Sequence, residues 1–470
     1  MYTFQDFQAE DTVKDGVKKA ISAHLSSDDY HIAMDADLYD HQKNKTINEY
    51  VRMIFTMTGT PIEDFTASNN KIASNFFHRL NTQRCTYLLG NGVFFNDDAT
   101  KESLGDDFDT RIRDLGYYAL IHKVAFGFWN VDGLHVFKYT EFAPLWDEET
   151  GALRAGVRFW QIDPDKPTFA VLYEEDGFTK FRSNSNGGDF EIMEPKQSYI
   201  LTVQTSEADG EEVIGEDNYG SLPIVPLWGS KLRQSTLVGM QQSIDSFDLI
   251  RSGFANDLTD CAQIYWILGN CGGMSNADLA QFRDRLKINH IAVADFDNST
   301  VTPYTQDIPY SARKEYLDDI RAGIYEDFGG LDVHTIAAGA TNDHIDAAYN
   351  PMDEEADDFE YQVIEFIQQL LTLIGIDDKP TFKRNRVSNE MEQTQMVLSS
   401  AQYLDDETIL KKLPFITVDE VKDIMDKMIK EQEDRFGDDE IEERLSRLEQ
   451  SQVQQAQPQQ PEQNEEEVNG

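Results

Sequence analysis

At 470 residues, with 40% hydrophobic and 11% aromatic side chains, the chain has room for two or three domains and enough apolar mass for a folded core. Its 86 acidic against 41 basic residues give a formal net charge of −45, which excludes a nucleic-acid grip over most of the surface, because phosphate binding needs Lys and Arg to release counterions. Three cysteines (Cys85, Cys261 and Cys271) without paired spacing, no basic or apolar leader in MYTFQDFQAED, and no apolar run near the 18 residues of a membrane span predict a soluble protein made in a reducing compartment, with no disulfide framework and no membrane contact.

Residues 1–60 read mostly as helix. Val13, Val17, Ala20, Ile21 and Leu25 keep one helical stripe, and Ile47, Tyr50, Val51, Ile54 and Phe55 another. His31, Asp35, Asp37 and His41, between them, match no closed metal site and read as polar loop residues. A further helix over 69–89 ends at the Gly90-Asn91-Gly92 turn.

From Tyr117 to Phe181 the pattern turns to alternating, aromatic-rich runs. Turns at Asn130–Gly133, Glu149–Gly151 and Glu175–Gly177 predict three successive hairpins in one antiparallel sheet. After Pro223 the chain becomes helical again. Leu237, Met240, Ile244, Phe247, Phe254, Leu258 and Cys261 fall at three- and four-residue steps over 237–263, interrupted by Arg251. At 1.5 Å per residue such a helix runs on the order of 40 Å, which favours lateral packing against copies or partners over burial in a small core.

An insert over 264–308 carries the apolar run IYWIL, a short helix near 277–286 and the strand HIAVADF. A second helix over 311–327, with Tyr316, Leu317, Ile320, Ile324 and Phe328, stops at Gly329-Gly330. Beyond the small-residue loop IAAGATNDHI, a third long helix over 346–374 is entered at Pro351 and begins with Asp353, Glu354, Glu355, Asp357 and Asp358, whose charges suit a helix N-terminus. Lys383, Arg384 and Arg386 then form a basic cluster ahead of helices over 389–403, 418–435 and 438–450. The tail SQVQQAQPQQPEQNEEEVNG has too little apolar content to fold.

No catalytic signature is present. GxxxxGK[ST], HExxH, a CxxC pair and GxSxG are all missing, and the calcium-like Asp295-Phe-Asp297-Asn-Ser299 has Thr300 where a Gly is required. No enzyme activity, cofactor or metal is expected.

Several stretches nevertheless resemble, in order and spacing, the portal proteins of long-tailed bacteriophages. They are AFGFWNVDG with APLWDEETGALRAGVRFW, YGSLPIVPLW leading into SIDSFDLIRSGFANDLTDCAQIYWILGN, the loop AGATNDHIDAAY, and NEMEQTQMVLSSAQYLDDETILKKLPFITVDEVKDIM. The likeness covers about residues 45–435. It implies an α+β portal fold: N-terminal helices and a β-rich wing over 1–225, a first stem helix over 226–263, a clip over 264–308 and a second stem helix over 309–330. A tunnel loop over 331–345, a long wing helix over 346–380, a helical crown over 381–450 and the 451–470 tail complete it.

The resemblance further implies a ring of about twelve copies at one capsid vertex of the virion, assembled in the host bacterial cytoplasm. Such a ring is the conduit for DNA packaging by the terminase large subunit and for DNA exit into the tail through a head–tail adaptor protein, and it also meets major capsid and scaffolding proteins. Double-stranded DNA would pass through it without sequence-specific contact. The tunnel loop facing DNA would comprise Ile336, Ala337, Ala338, Gly339, Ala340, Thr341, Asn342, Asp343 and His344. Arg251, Arg313, Lys314 and Arg321 are candidate channel or intersubunit cations, with an ordinary intersubunit or intrahelical ion pair as the alternative for the last three. The alternative for the whole chain is an acidic intracellular adaptor or DNA-mimic protein that binds basic partners.

Overall fold

The computed structural model describes residues 2–56, 58–65, 67–184, 188–206, 210–261, 265–269, 275, 277–278, 280–281, 300–304, 309–333, 342–386, 390–401 and 405–413, with six positions between 421 and 430. The chain is mixed helix and sheet and divides into two compact units, Met1–Thr335 with Ala348–Arg386, and Ile336–Ala347 with Val387–Gly470.

Four helices open the larger unit: α1 (Phe4–Gln8), α2 (Val13–Leu25), α3 (Asp28–Asp40) and α4 (Lys45–Glu49). Thr3, Thr12 and Ser27 cap the first three, each hydroxyl accepting a backbone N–H at 3.2 Å. His31, Asp35 and Asp37 lie within α3 and are helical, not loop residues, while His41 caps its C-terminus in the turn that follows. The second helical stripe also ends early. After α4 the chain forms a two-stranded hairpin, β1 (Met53–Phe55) and β2 (Pro61–Glu63), because the β-branched and aromatic residues there meet a turn at Gly59, whose φ is +81°. Helix α5 (Phe76–Leu89) starts seven residues later than the periodicity predicts, because residues 70–74 are bonded to another helix instead. Strand β3 (Val93–Phe94) and helices α6 (Asp98–Leu104) and α7 (Phe108–His122) follow.

The predicted hairpins form, but in two sheets. The first, β4 (Val124–Asn130) with β5 (Gly133–Phe137), is joined by a strand nearly a hundred residues away, while a 3-10 turn at Tyr139–Glu141 separates it from the rest. Strands β6 (Phe142–Trp146), β7 (Leu153–Trp160), β8 (Thr168–Glu174), β9 (Gly177–Ser183) and β10 (Glu191–Gln197) then make an antiparallel meander in chain order. Strands β11 (Ile200–Ser206) and β12 (Gly210–Asp217) pair with each other. Strand β13 (Ile224–Trp228) pairs with β4, giving the order β13-β4-β5.

Burial explains the split. Along β4, Val124, Phe126 and Phe128 point into a core shared with β6 and β8, whereas Ala125 and Trp129 point into a core made with helices. A strand buried on both faces belongs to an inner layer, and β4 has one buried residue after another from Val124 to Trp129. The five-stranded sheet in turn sends Ala143, Leu145, Ala155, Val157, Ala170 and Phe181 against Val17, Ala20 and Ile21 of α2. The unit is thus layered helix, sheet, sheet, helix, with three apolar seams.

Two long helices follow, α8 (Leu237–Cys261) and α9 (Tyr310–Phe328), each within two residues of its expected bounds. Between them the described residues include strands β14 (Tyr265–Gly269) and β15 (Thr300–Tyr304), paired antiparallel, and helical residues at Ala277, Asp278, Ala280 and Gln281. The predicted strand HIAVADF lies outside the described residues. Helix α9 ends as expected at Gly329, whose φ of +66° suits a residue without a Cβ, and the Gly330 N–H closes the turn on Tyr325 O at 2.8 Å.

Helix α10 spans Asn342–Ile374 and runs through Pro351 instead of starting there. A proline inside a helix costs one backbone bond, about 3 kcal/mol. The buried stripe Met352, Ala356, Phe359, Val363, Phe366, Ile367, Leu370 and Leu371 offsets that loss. Phe366 lies so close to β4 that a Cβ on Gly127 would sit 2.5 Å from its ring. Strand β16 (Thr381–Phe382) pairs with β3. In the smaller unit, α11 (Glu390–Ser399) and α12 (Asp406–Lys412) are described, the second capped by Asp405. The later predicted helices fall largely outside the described residues. Among the described residues, no helix is long and apolar enough to cross a membrane and no group of three or more His, Cys, Asp or Glu is placed to hold a metal.

Candidate functional site

Helices α8 and α9 lie side by side. Ser246 meets Tyr316 at 3.4 Å between hydroxyls, and Phe254 meets Tyr310 at 5.7 Å between rings, so rising numbers on one helix face falling numbers on the other. The pair is antiparallel. Its proximal half is sealed by Leu237, Met240, Ile244 and Phe247 of α8 with Ile324, Tyr325 and Phe328 of α9, packed on Phe76, Phe77 and Leu80 of α5.

A second stripe on α8 is polar and was not singled out from the sequence. Asp245, Asp248, Ser252 and Asn256 recur at three- and four-residue steps, and each is bonded to the N-terminal part of the chain. Asp245 accepts the Tyr39 hydroxyl at 2.5 Å and the Thr46 hydroxyl at 2.7 Å. Asp248 accepts the Ser74 N–H at 2.9 Å and the Asn44 amide at 2.5 Å. Ser252 accepts the Ile72 N–H at 3.0 Å, and Asn256 accepts the Asn70 N–H at 2.6 Å. Residues 70, 72 and 74 thus dock onto successive turns of the helix. Burial raises the Asp248 carboxyl above its usual range in spite of these donors. The signal for this ladder lay in the helical spacing of the polar residues.

The four candidate cations separate into two pairs. Arg313 is ion-paired with Asp257 of α8, and Arg321 with Asp332 at 2.8 Å, so both serve contacts within the chain. Arg251 and Lys314 are exposed and have no ion-pair partner among the described residues; the Arg251 guanidinium lies 5.9 Å from the Phe247 ring centre. Acidic residues divide differently. Asp245, Asp248 and Asp257 of α8 all have partners within the chain, whereas Glu315, Asp318, Asp319, Glu326 and Asp327 of α9 are exposed. The acidic face of the pair therefore belongs to α9.

Of the predicted tunnel loop, Ile336, Ala337, Ala338, Gly339, Ala340 and Thr341 lie outside the described residues. Asn342 and Asp343 open α10, and His344 is exposed on its first turn.

Three arginines that sequence reasoning left without a role hold the surroundings of the pair. Arg84 of α5 is buried, donates to the carbonyl of Phe328 at the end of α9, stacks 4.1 Å from the Phe328 ring centre and meets Glu355 at 3.1 Å. It thereby caps α9 at its negative dipole end. Arg384 spans Asp353, Asp357 and Glu360 of α10, and Arg386 reaches Asp353 and the Tyr87 hydroxyl. Burial alone would raise the Asp353 carboxyl, but the bonds from Tyr87, Arg384 and Arg386 pull it below its usual range. The buried Cys85 thiol is pushed up to about 12, which makes it unreactive.

The arrangement offers a long paired-helix surface with one acidic side. A family profile described as phage portal protein, SPP1 Gp6-like, matches residues 18–435. The chain is similar to a portal protein of Clostridium phage phiCD119, with 23% identity over 422 residues, covering 82% of this chain and 89% of that protein. It is similar to a portal protein of Bacillus phage SPP1 as well, with 23% identity over 438 residues, covering 83% of this chain and 84% of that protein.

Proposed function

Because the chain belongs to the phage portal proteins of the SPP1 Gp6-like family, a structural component of the virion that forms a homo-oligomeric ring at the capsid vertex, we propose that α8 and α9 are the stem of that ring and that the acidic face of α9 lines its channel. The observation that carries this reading is the division of charge between the two helices: Asp245, Asp248 and Asp257 of α8 are engaged in contacts within the chain, and α9 leaves five carboxylates exposed. A wall that repels phosphate lets a polyanion slide, whereas a basic wall would hold it.

On this reading DNA enters the capsid through the channel, driven by the terminase large subunit, and leaves it into the tail through a head–tail adaptor. Residues 264–308 form the clip that meets both, and 331–345, with Ile336–His344 at its centre, form the loop nearest the DNA. Residues 1–225 and 346–380 form the wing, 381–450 the crown, and major capsid and scaffolding proteins dock around them during assembly in the host cytoplasm. Arg251 and Lys314, the two candidate cations without an intrachain ion pair among the described residues, are the ones left to meet a neighbouring subunit or a passing phosphate. The adaptor or DNA-mimic alternative is not favoured by these relatives.

The test is the native mass of the purified protein. A monodisperse ring of about twelve subunits is expected, and a monomer that persists at high concentration would remove the reading.

A further inference from the structure

The β1–β2 hairpin has no core of its own. Ile54 and Ile62 oppose each other across the ribbon on one face, and Met53 and Phe55 lie on the other. All four are exposed, Phe55 by 74%, and Phe65 just beyond the hairpin by 85%. An isolated two-stranded hairpin is at best marginally stable in water, and one that is apolar on both faces needs cover on both.

The hairpin is also firmly rooted. The Asp64 N–H bonds Arg52 O at 2.9 Å across its base, and Arg52 reaches Ser68 O at 3.2 Å. The flanking segments are tied down: Lys71 bonds Asn48 O at 2.6 Å, and Asn70 is held by Asn256 of α8. An anchored, two-faced apolar ribbon set beside one of the long helices has the form of an arm, not of a loose loop.

We propose that this hairpin is an intersubunit arm that inserts into the adjoining copy of the chain; the inference rests on the ring reading above. Charge selects the occupant. Two surfaces that each belong to a chain of net charge −45 repel on approach. Residues 50–65 carry only Arg52 against Glu63 and Asp64, a net charge of −1 from one positive and two negative side chains, so copies can meet here with little repulsion. Area agrees. Covering five or six large apolar side chains removes on the order of 500 Å² from water, a substantial part of the roughly 800 Å² per partner of a stable interface. A ring also requires a heterologous contact, in which a projection on one subunit meets a different surface on the next.

The experiment compares the full-length chain with a Phe55→Ser, Phe65→Ser double variant. Both positions are exposed in the single chain, so the thermal midpoint of the subunit should be unchanged. Mass photometry over a dilution series should show the variant needing at least a tenfold higher concentration to form rings. In wild-type rings, hydrogen exchange at 53–55 and 62–63 should be slower than in the monomeric variant. Rings of unchanged stability in the variant, or hairpin amides that exchange freely in wild-type rings, would overturn the inference and leave the portal reading intact. Variant rings that form normally but fail to enter capsids would overturn it too, by assigning the arm to the capsid protein. Absence of rings in the wild type would remove the portal reading and this inference with it.

Discussion

A single histidine illustrates how burial sets behaviour at the residue scale. His24 sits on α2 with its ring edge-on to Tyr30, Tyr139 and Phe159 and its Nε2 bonded to Tyr139 O at 2.8 Å. Burial lowers its pKa to about 4, against the opposing pull of that carbonyl. The unfolded chain, with a pKa near 6.5, therefore takes up the proton first. Stability is complete above that value and falls as pH drops from about 6.5 toward 4, by about 1.4 kcal/mol per pH unit. Urea midpoints at pH 7.5 and 5.5 should differ measurably for the wild type, and His24→Gln should flatten the difference; an unchanged slope in the variant would assign the acid sensitivity elsewhere. Nothing in the sequence around His24 signals this, because a histidine on an amphipathic helix reads the same whether its neighbours across the sheet are aromatic or solvent. The same blindness applied to Arg313 and Arg321. Their type and place suggested contact with phosphate or a neighbouring copy, and only the packing of α8 and the turn after α9 supplied Asp257 and Asp332.

At the scale of elements, periodicity located what is locally determined. The bounds of α8 and α9, the glycine stop after Phe328 and the hairpin turns at 130–133, 149–151 and 175–177 were legible, because each depends on residues within a few positions of one another. What needed tertiary context was not. The pairing of β13 with β4, the docking of 70–74 on α8 and the passage of α10 through Pro351 are all fixed by partners far along the chain. The ladder on α8 makes this testable. Asp248→Ala would leave the Ser74 N–H without an acceptor in a buried setting and the Asn44 amide with only its bond to Ser74 O, at a cost of about 2–3 kcal/mol. We expect a lower thermal midpoint and faster hydrogen exchange at 70–74, with Ser246→Ala, on the side of α8 that faces α9, close to wild type in both. Equal loss from the two substitutions would mean that the helix, and not its polar stripe, holds the segment.

For the whole molecule, charge and assembly pull in opposite directions. Each subunit brings a net charge of −45 to the ring, so closing the ring concentrates like charge around one axis. Exposed charges interact over a Debye length of roughly 10 Å at 0.1 M salt and only about 3 Å at 1 M, so salt weakens this repulsion steeply. Apolar contact of the kind argued for the hairpin is not weakened by salt in that way. Ring stability should therefore rise with ionic strength: the subunit concentration at half-assembly, followed by mass photometry between 0.05 and 0.5 M sodium chloride, is expected to fall several-fold. An interface held chiefly by ion pairs, with Arg251 and Lys314 reaching carboxylates of the next subunit, predicts the opposite slope. The direction of the salt effect thus reports which contact closes the ring. It is read without altering a residue, so it does not depend on how any variant folds. A fall in half-assembly concentration that persists in Arg251→Ala and Lys314→Ala, with the Phe55→Ser, Phe65→Ser pair displaced to higher concentration at every salt, would place the closing contact in the hairpin arm.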